Sequence, residues 1–366
     1  MSIVAPKDAA PPGFWGDLRD AVEPRTALLV VGALLLQLGF ILSFIGAFHS
    51  PTPTRVPVDL VVSRLFSEKV VSELDHLPGD PVQVRLVGSA VTAKADVTTG
   101  RVDGAFVVQL SAAHDQLFVA SGAGAATATA LETVFDRVEA HVHRNLTTTD
   151  LVPLQSGDGH GLSGYYLVTG WIVGGYLMAS LLGVAKGAQP TTVRRAIIRL
   201  LAVLPYAVVG GAGGALIAGP WLGALDGHYL ELWLLGFLLI FSSAAIAMAL
   251  QSVFGVVGIG LTILIFVVIG NPSAGGAYQY ALLPPFWRDI GPKLPNGAGT
   301  DAARQIVYFG SHGLGGSLLI VAAYVVGGSV VMLIGSSFHQ RRNGATEAEQ
   351  RLVALGRAGY PVEVRR

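Results

Sequence analysis

The residues of this 366-residue chain that could do chemistry do not assemble into a reaction centre. ATP hydrolysis would need a GxxxxGK run followed by Ser or Thr on a strand-to-helix turn, where backbone N–H groups cradle the phosphates. None occurs, and GVAKGAQPTT at 183–192 lacks both the lysine and the spacing. The nine histidines are scattered. The closest pair, His141 and His143, is two residues apart, and on a helix such residues face different directions. A Ser/His/Asp set can be assembled only by arbitrary choice. We therefore expect no catalytic residue, no metal and no cofactor, and any ATP chemistry must belong to another chain.

Ionisable groups are scarce, at 13% of the chain against 52% hydrophobic residues, and mean hydropathy is +0.57. A soluble domain carries about 25% charge. Apolar blocks lie at 27–48, 165–185, 196–220, 229–250, 254–270 and 313–335. The first, ALLVVGALLLQLGFILSFIGAF, contains no ionisable group, and roughly 20 such residues cross a bilayer as a helix. It is longer than the apolar core of a signal peptide, so it reads as an anchor that is retained. Arg199 sits near one end of its block and can snorkel, while Asp226, His228 and Glu231 cluster at the other end of the third and fourth blocks. Nearly charge-free spans argue against proton or sodium coupling, which relies on ionisable groups at membrane depth. Among the few polar residues in the spans are Gln37, Thr169, Ser242, Ser243 and Gln251, which suits an amphipathic cargo better than a sugar or an ion.

The expected fold is an α-helical integral membrane protein with six transmembrane helices and an α+β extracellular domain inserted between the first and second. Its parts are a cytoplasmic tail at 1–26, the first span at 27–48 and the inserted domain at 49–161. Spans two to five fill 162–270, an extracellular broken-helix segment 271–312, the sixth span 313–335 and a second cytoplasmic tail 336–366. Lys7, Arg19 and Arg25 before the first span, Lys186, Arg194, Arg195 and Arg199 around the second-to-third connection, and Arg341 and Arg342 after the last place both termini in the cytoplasm of a multi-pass plasma-membrane protein. The zero net charge gives no case for nucleic acid, and the absence of cysteine leaves the inserted domain to its own packing.

Within that domain, PVDLVV at 57–62 and VQVRLV at 82–87 read as strands, with a helix at 63–77 between them. A third strand is expected at 104–110, then QLFVAS, a helix from Ala125 to about Asn145, and a Gly-rich hinge back to the membrane. The segment 271–309 is too apolar for a free loop. Leu282, Leu283, Phe286, Trp287 and Ile290 form a short amphipathic piece at headgroup level, and Pro284, Pro285, Pro292 and Pro295 divide it into half-helices. Such irregular backbone survives only where protein or a cavity shields it, which makes Asn271, Pro272, Gly275, Gly276, Pro284, Phe286 and Trp287 the candidate outer gate or lid. Pro205 with Gly210 and Gly211 is the candidate hinge of the third span.

This order of elements resembles the ABC-2 type permeases, the membrane subunits of one class of ABC exporters. Within them it is similar to the phage-infection-protein-like (YhgE/Pip) branch, through NPSAGGA…LLPPFW…LP.GA…R..VYFG at 271–310 and, as a weaker echo, TTGRVDGAFVV at 98–108. The resemblance implies a permease that works as a dimer, with a cytoplasmic ABC ATPase subunit bound to each half. It also implies an interfacial helix before the first span and a short coupling helix between spans two and three. PPGFWGDLRDAVEPRT places Phe14, Trp15, Leu18 and Val22 on one helical face as the interfacial candidate, resting on membrane lipid. For the coupling loop, Gln189 and Pro190 offer a stop, Thr191 or Thr192 a helix cap, and Arg194 and Arg195 the contacts; the same arginines serve as anchors to anionic lipid. A different class remains open, a membrane-anchored surface receptor or cell-envelope assembly protein not coupled to an ATPase.

Overall fold

The structure, a computed structural model, describes residues 24–109, 112 and 114–357; the interfacial candidates Phe14, Trp15, Leu18 and Val22 lie outside them. Five helices are long and apolar enough to cross a membrane. They are α1 (Pro24–Phe48), α5 (Ser163–Lys186), α6 (Val193–Leu216, running on through a wide turn at Ile217–Trp221), α7 (Tyr229–Phe254) and α11 (Leu314–Arg357), the last apolar as far as Arg342. The block at 254–270 forms a shorter apolar helix, α8, at Val257–Ser273, which includes wide turns over Leu264–Gly270. A helix of that length rises only about 25 Å, less than the usual hydrocarbon thickness.

α7 is the axis of the bundle. It packs on α5, α6, α8 and α11, and Leu232, Leu235, Leu239, Ile240, Ala244 and Met248 along it are buried. Gly211 shows why α6 lies so close: a Cβ there would stand 2.8 Å from the backbone nitrogen of Phe237 and 2.9 Å from the Trp233 carbonyl. Small residues at such crossings let helices pack in lipid, where there is no hydrophobic drive to bring them together. α1, by contrast, packs chiefly along α8 and leaves Leu28, Val31, Leu38 and Ile45 exposed, an apolar surface matched to hydrocarbon.

Between α1 and α5 the chain builds a five-stranded sheet in the order β2-β1-β3-β4-β5. The strands are β1 (Val56–Val61), β2 (Val82–Leu86), β3 (Gly104–Val107), β4 (His114–Val119) and β5 (Asn145–Asp150), with helices α2 (Ser67–Asp75), α3 (Ala90–Thr98) and α4 (Ala125–His141) between them. β1 runs parallel to β2 and β3, β3 antiparallel to β4, and β4 parallel to β5. Val58, Leu60, Phe106, Leu117, Leu131 and Phe135 form one core, with Phe106 stacked on Phe135 at 4.5 Å. Two elements differ from the sequence reading. α3 was not expected, and the helix expected to reach Asn145 stops at His141 so that Asn145 opens β5.

Three buried carboxylates of this domain, Asp59, Asp96 and Asp115, are paired with arginines. Asp59, fully enclosed, accepts from Arg85 Nε at 2.8 Å and Nη2 at 2.9 Å in the register position directly opposite. Arg85 also reaches Asp96, which accepts from Arg101 at 3.0 Å; the two guanidiniums outweigh burial and hold the Asp96 carboxyl below the usual range. Asp115 takes two 2.8 Å bonds from Arg144. Burial, with Asp115 alongside, pushes neighbouring Glu139 up to about 7.

Candidate functional site

The segment from Asn271 to Gly313 joins the sheet domain to the helices. The prolines do not simply interrupt it; they start its helices, α9 (Pro285–Ile290) and α10 (Pro295–Tyr308), because a first-turn proline loses no helical hydrogen bond. α10 packs on α5, α7 and α11, so the segment is built into the bundle. Asn296 at its start donates to the Phe266 carbonyl at 3.0 Å and to Asn271 Oδ1 at 2.8 Å. Its amide thus supplies a donor to the irregular end of α8. Pro272, next to Asn271 in the chain, is buried.

Gly275 adopts φ +68°, a left-handed conformation that glycine alone takes without strain. The Gly275 and Gly276 carbonyls accept from Arg304 Nη2 at 2.6 and 3.1 Å, and Gly276 abuts the Tyr165 ring. One turn back along α10, Asp301 lies 3.9 Å from Arg304 and accepts from the Tyr280 hydroxyl at 2.9 Å. Further along, Pro284 precedes α9, Phe286 is exposed, and Trp287 donates from Nε1 to Ser43 of α1 at 3.1 Å. Of the residues expected at headgroup level, Leu282 and Leu283 are buried in protein.

The sheet domain is docked on this segment by side chains from both sides. Phe309, just past α10, is buried in the domain's second core beside Val97, Ala105 and Phe118. The Tyr308 ring lies against Gly122, and its hydroxyl donates to the buried Asp158. Gln279 Oε1 accepts from the backbone N–H and hydroxyl of Thr127 at 3.1 and 2.9 Å, so a residue 152 positions away supplies the side-chain acceptor that the first turn of α4 requires. The backbone N–H of Thr54 donates to Ala281.

Between the docked surfaces lies a cavity of about 880 Å³, whose walls include Arg55 and Asp103 from the domain and Tyr280, Arg288, Asp301 and Arg304 from the segment. Burial pushes the carboxyls of Asp103 and Asp301 each up to about 6, against the opposing pull of the Arg304 charge. Both are partly exposed to the cavity, yet protein rather than bulk water surrounds them. Sequence reasoning did not single out Asp103, Asp301 or Tyr280, although Arg304, Tyr308 and Phe309 stand in the R..VYFG run. The usable signal was a pair of opposite charges three apart in a Gly/Ala-rich helix of a chain otherwise poor in charge.

A second, charge-free groove of about 530 Å³ runs between α5 and α6, with Trp171, Gly174, Tyr206, Gly210 and Gly214 along it and Ile240 of α7 as part of its wall. Gly210 therefore lines a groove, and Gly211 is a packing contact. Pro205 lies inside an unbroken α6. At the end of the bundle away from the sheet, the α5–α6 connection is a turn from Gly187 to Thr192, not the expected short helix. Thr192 caps α6 itself, accepting from the Arg195 N–H at 3.3 Å. Arg199 closes the turn by donating to the Lys186 and Gly187 carbonyls, which the end of α5 leaves without helical partners. Pro190 is buried, while Thr191, Arg194 and Arg195 are exposed, with Arg195 donating to the Thr191 hydroxyl at 2.8 Å.

Among the described residues, no group of His, Asp and Glu side chains could hold a metal ion. No family model, no curated protein and no solved structure matches this chain.

Proposed function

We propose that the chain is the membrane-spanning subunit of an ABC-2 type exporter, which moves a hydrophobic or amphipathic compound outward with ATP hydrolysed by a separate cytoplasmic subunit. In this reading α8 completes a set of six spans, both termini are cytoplasmic, the sheet domain is extracellular, and two copies form the working unit in the plasma membrane. The observation that carries the reading is the pairing of two features on α5 and α6. A groove with no charged side chain lies between the helices, and the first turn of α6, just after the turn that joins them, leaves Arg194 and Arg195 exposed. The groove suits an apolar cargo. The arginines, at the start of α6 beside a turn stapled by Arg199, suit a docked partner that pushes on both helices at once.

Support also comes from the region 271–312, where irregular backbone is shielded by protein and tied to α1 through Trp287, to α8 through Asn296 and to the sheet domain through Phe309. A movement of the bundle would reach the sheet domain through these contacts, as an outer gate requires. Reversing charge at both Arg194 and Arg195 tests the assignment. The double Glu variant is expected to reach the cell surface in normal amount and to lose nucleotide-driven accumulation of cargo inside inside-out vesicles; undiminished accumulation would refute the assigned docking region.

A further inference from the structure

The 880 Å³ cavity between the sheet domain and the 271–312 segment is too large to be filled by a few waters, and its charges are unevenly matched. Asp103 and Asp301 both line it. Asp301 has the Tyr280 hydroxyl and the nearby Arg304. Among the described residues no hydrogen-bond donor reaches the Asp103 carboxylate, which feels the charge of Arg304. Arg304 makes no ion pair with it: Nη2 donates to the Gly275 and Gly276 carbonyls, and Nη1 lies 3.9 Å from Asp301. Arg55 and Arg288 line it as well. Their nearest carboxylates are Asp80 at 3.8 Å and Asp289 at 3.6 Å, beyond good hydrogen-bond distance, and among the described residues neither guanidinium donates a hydrogen bond.

A partly buried carboxylate lacking donors is costly, and an ammonium group offers it three. A guanidinium with unspent N–H groups binds phosphate or carboxylate through paired, charge-assisted bonds. We infer that the cavity binds a zwitterion, with its ammonium group at Asp103 and Asp301 and its phosphate or carboxylate at Arg288 and Arg55. Two sources carry this chemistry, an aminophospholipid headgroup and a free small zwitterion. The inference concerns binding alone and holds whether or not the chain exports anything.

The test uses the purified full chain in detergent, without any ATPase, titrated with phosphoethanolamine, glycerol 3-phosphate and ethanolamine. Phosphoethanolamine is expected to bind saturably and about tenfold or more tighter than either half-molecule, since each half leaves one charged end unmatched. Asp103→Asn should remove that advantage and leave glycerol 3-phosphate binding intact, whereas Arg288→Gln should weaken both phosphate compounds and spare ethanolamine. Melting curves of both variants verify that they fold. Lipid nanodiscs separate the sources: protection of Gln83→Cys, which lines the cavity without being assigned to the ligand, from a thiol reagent by phosphatidylethanolamine, but not phosphatidylglycerol, marks the headgroup. Protection by added phosphoethanolamine in phosphatidylglycerol discs marks the free compound. Equal binding of whole and halves, no saturable binding by the wild-type chain, or an Asp103→Asn variant that keeps its preference would each overturn the inference. Saturable binding by a wild-type chain that shows no nucleotide-driven export would count against the transport reading alone.

Discussion

Asp103 and Asp301 are held at about 6, above the 3.8 of an unperturbed carboxyl, and Glu139 is held at about 7. In each the largest cause is burial, which penalises the charged form. A carboxyl whose pKa is higher folded than unfolded binds more protons in the folded state between the two values. Folding stability therefore falls as pH rises through that interval. Asp96, shifted downward, titrates below it and does not compensate. Thermal melting of the purified chain is accordingly expected to occur at a higher temperature at pH 5 than at pH 7.5. Asp103→Asn should raise the melting temperature at pH 7.5 and flatten the pH dependence; an equal slope in wild type and variant would show that this carboxyl is solvated. These residues were hard to find from sequence because their role is made by distance: Asp103 and Asp301 meet at one cavity only after the sheet domain docks. By contrast, the absence of a phosphate loop could be read directly from the sequence, because that site is local.

At the scale of elements, the joint between domain and bundle rests on a few side chains. Phe309→Ala would empty a site in the second core of the sheet domain. Buried Phe→Ala changes cost about 3–5 kcal/mol, and here the loss should appear as faster hydrogen exchange across α3 and β3 with the bundle unchanged. Phe309→Leu should lose much less, and identical exchange in the Ala variant would mean that the domain is held elsewhere. Gly211→Val tests the helix crossing, since a Cβ there meets α7 backbone that cannot turn aside; overpacking of this kind costs about 1–3 kcal/mol, and an unchanged melting temperature would contradict the close approach. The long helices were legible because an uninterrupted apolar run has few alternatives, and α1, α5, α6 and α7 begin and end within a few residues of the expected blocks, whereas α11 runs on past the expected end at 335 to Arg357. β5 was not. Its sequence NLTTTD lacks apolar alternation and most of it is exposed, so its pairing with β4 is set by tertiary placement. α3 was hidden because AVTAKADVT has no strong apolar stripe; its plainest signal is the Ser89 cap on the Thr92 N–H. The prolines of 284–295 were correctly seen as dividing the segment, but their part in starting α9 and α10 depends on first-turn geometry.

For the whole molecule, topology and partnership decide the function. A cysteine at exposed Thr147 on β5 should react with an impermeant thiol reagent on intact cells, and one at exposed Lys186 on the α5 terminus should react only after lysis. The opposite pattern would put the sheet domain in the cytoplasm and remove the proposed exporter geometry. The long-range design was visible in the sequence as one span, a soluble insert and a second group of apolar blocks, since hydropathy is summed over many residues. The length of α8 was not, because the wide turns over Leu264–Gly270 depend on what packs around them. The most direct measurement is purification of the tagged chain from its native membrane in mild detergent, with the co-purifying chains identified and assayed for ATP hydrolysis. The proposed function predicts a stoichiometric nucleotide-binding subunit whose ATPase activity is lost from the preparation when Arg194 and Arg195 are both reversed to Glu. Recovery of an intact dimer that reproducibly carries no such subunit would contradict it and leave a membrane-anchored surface or envelope-assembly protein.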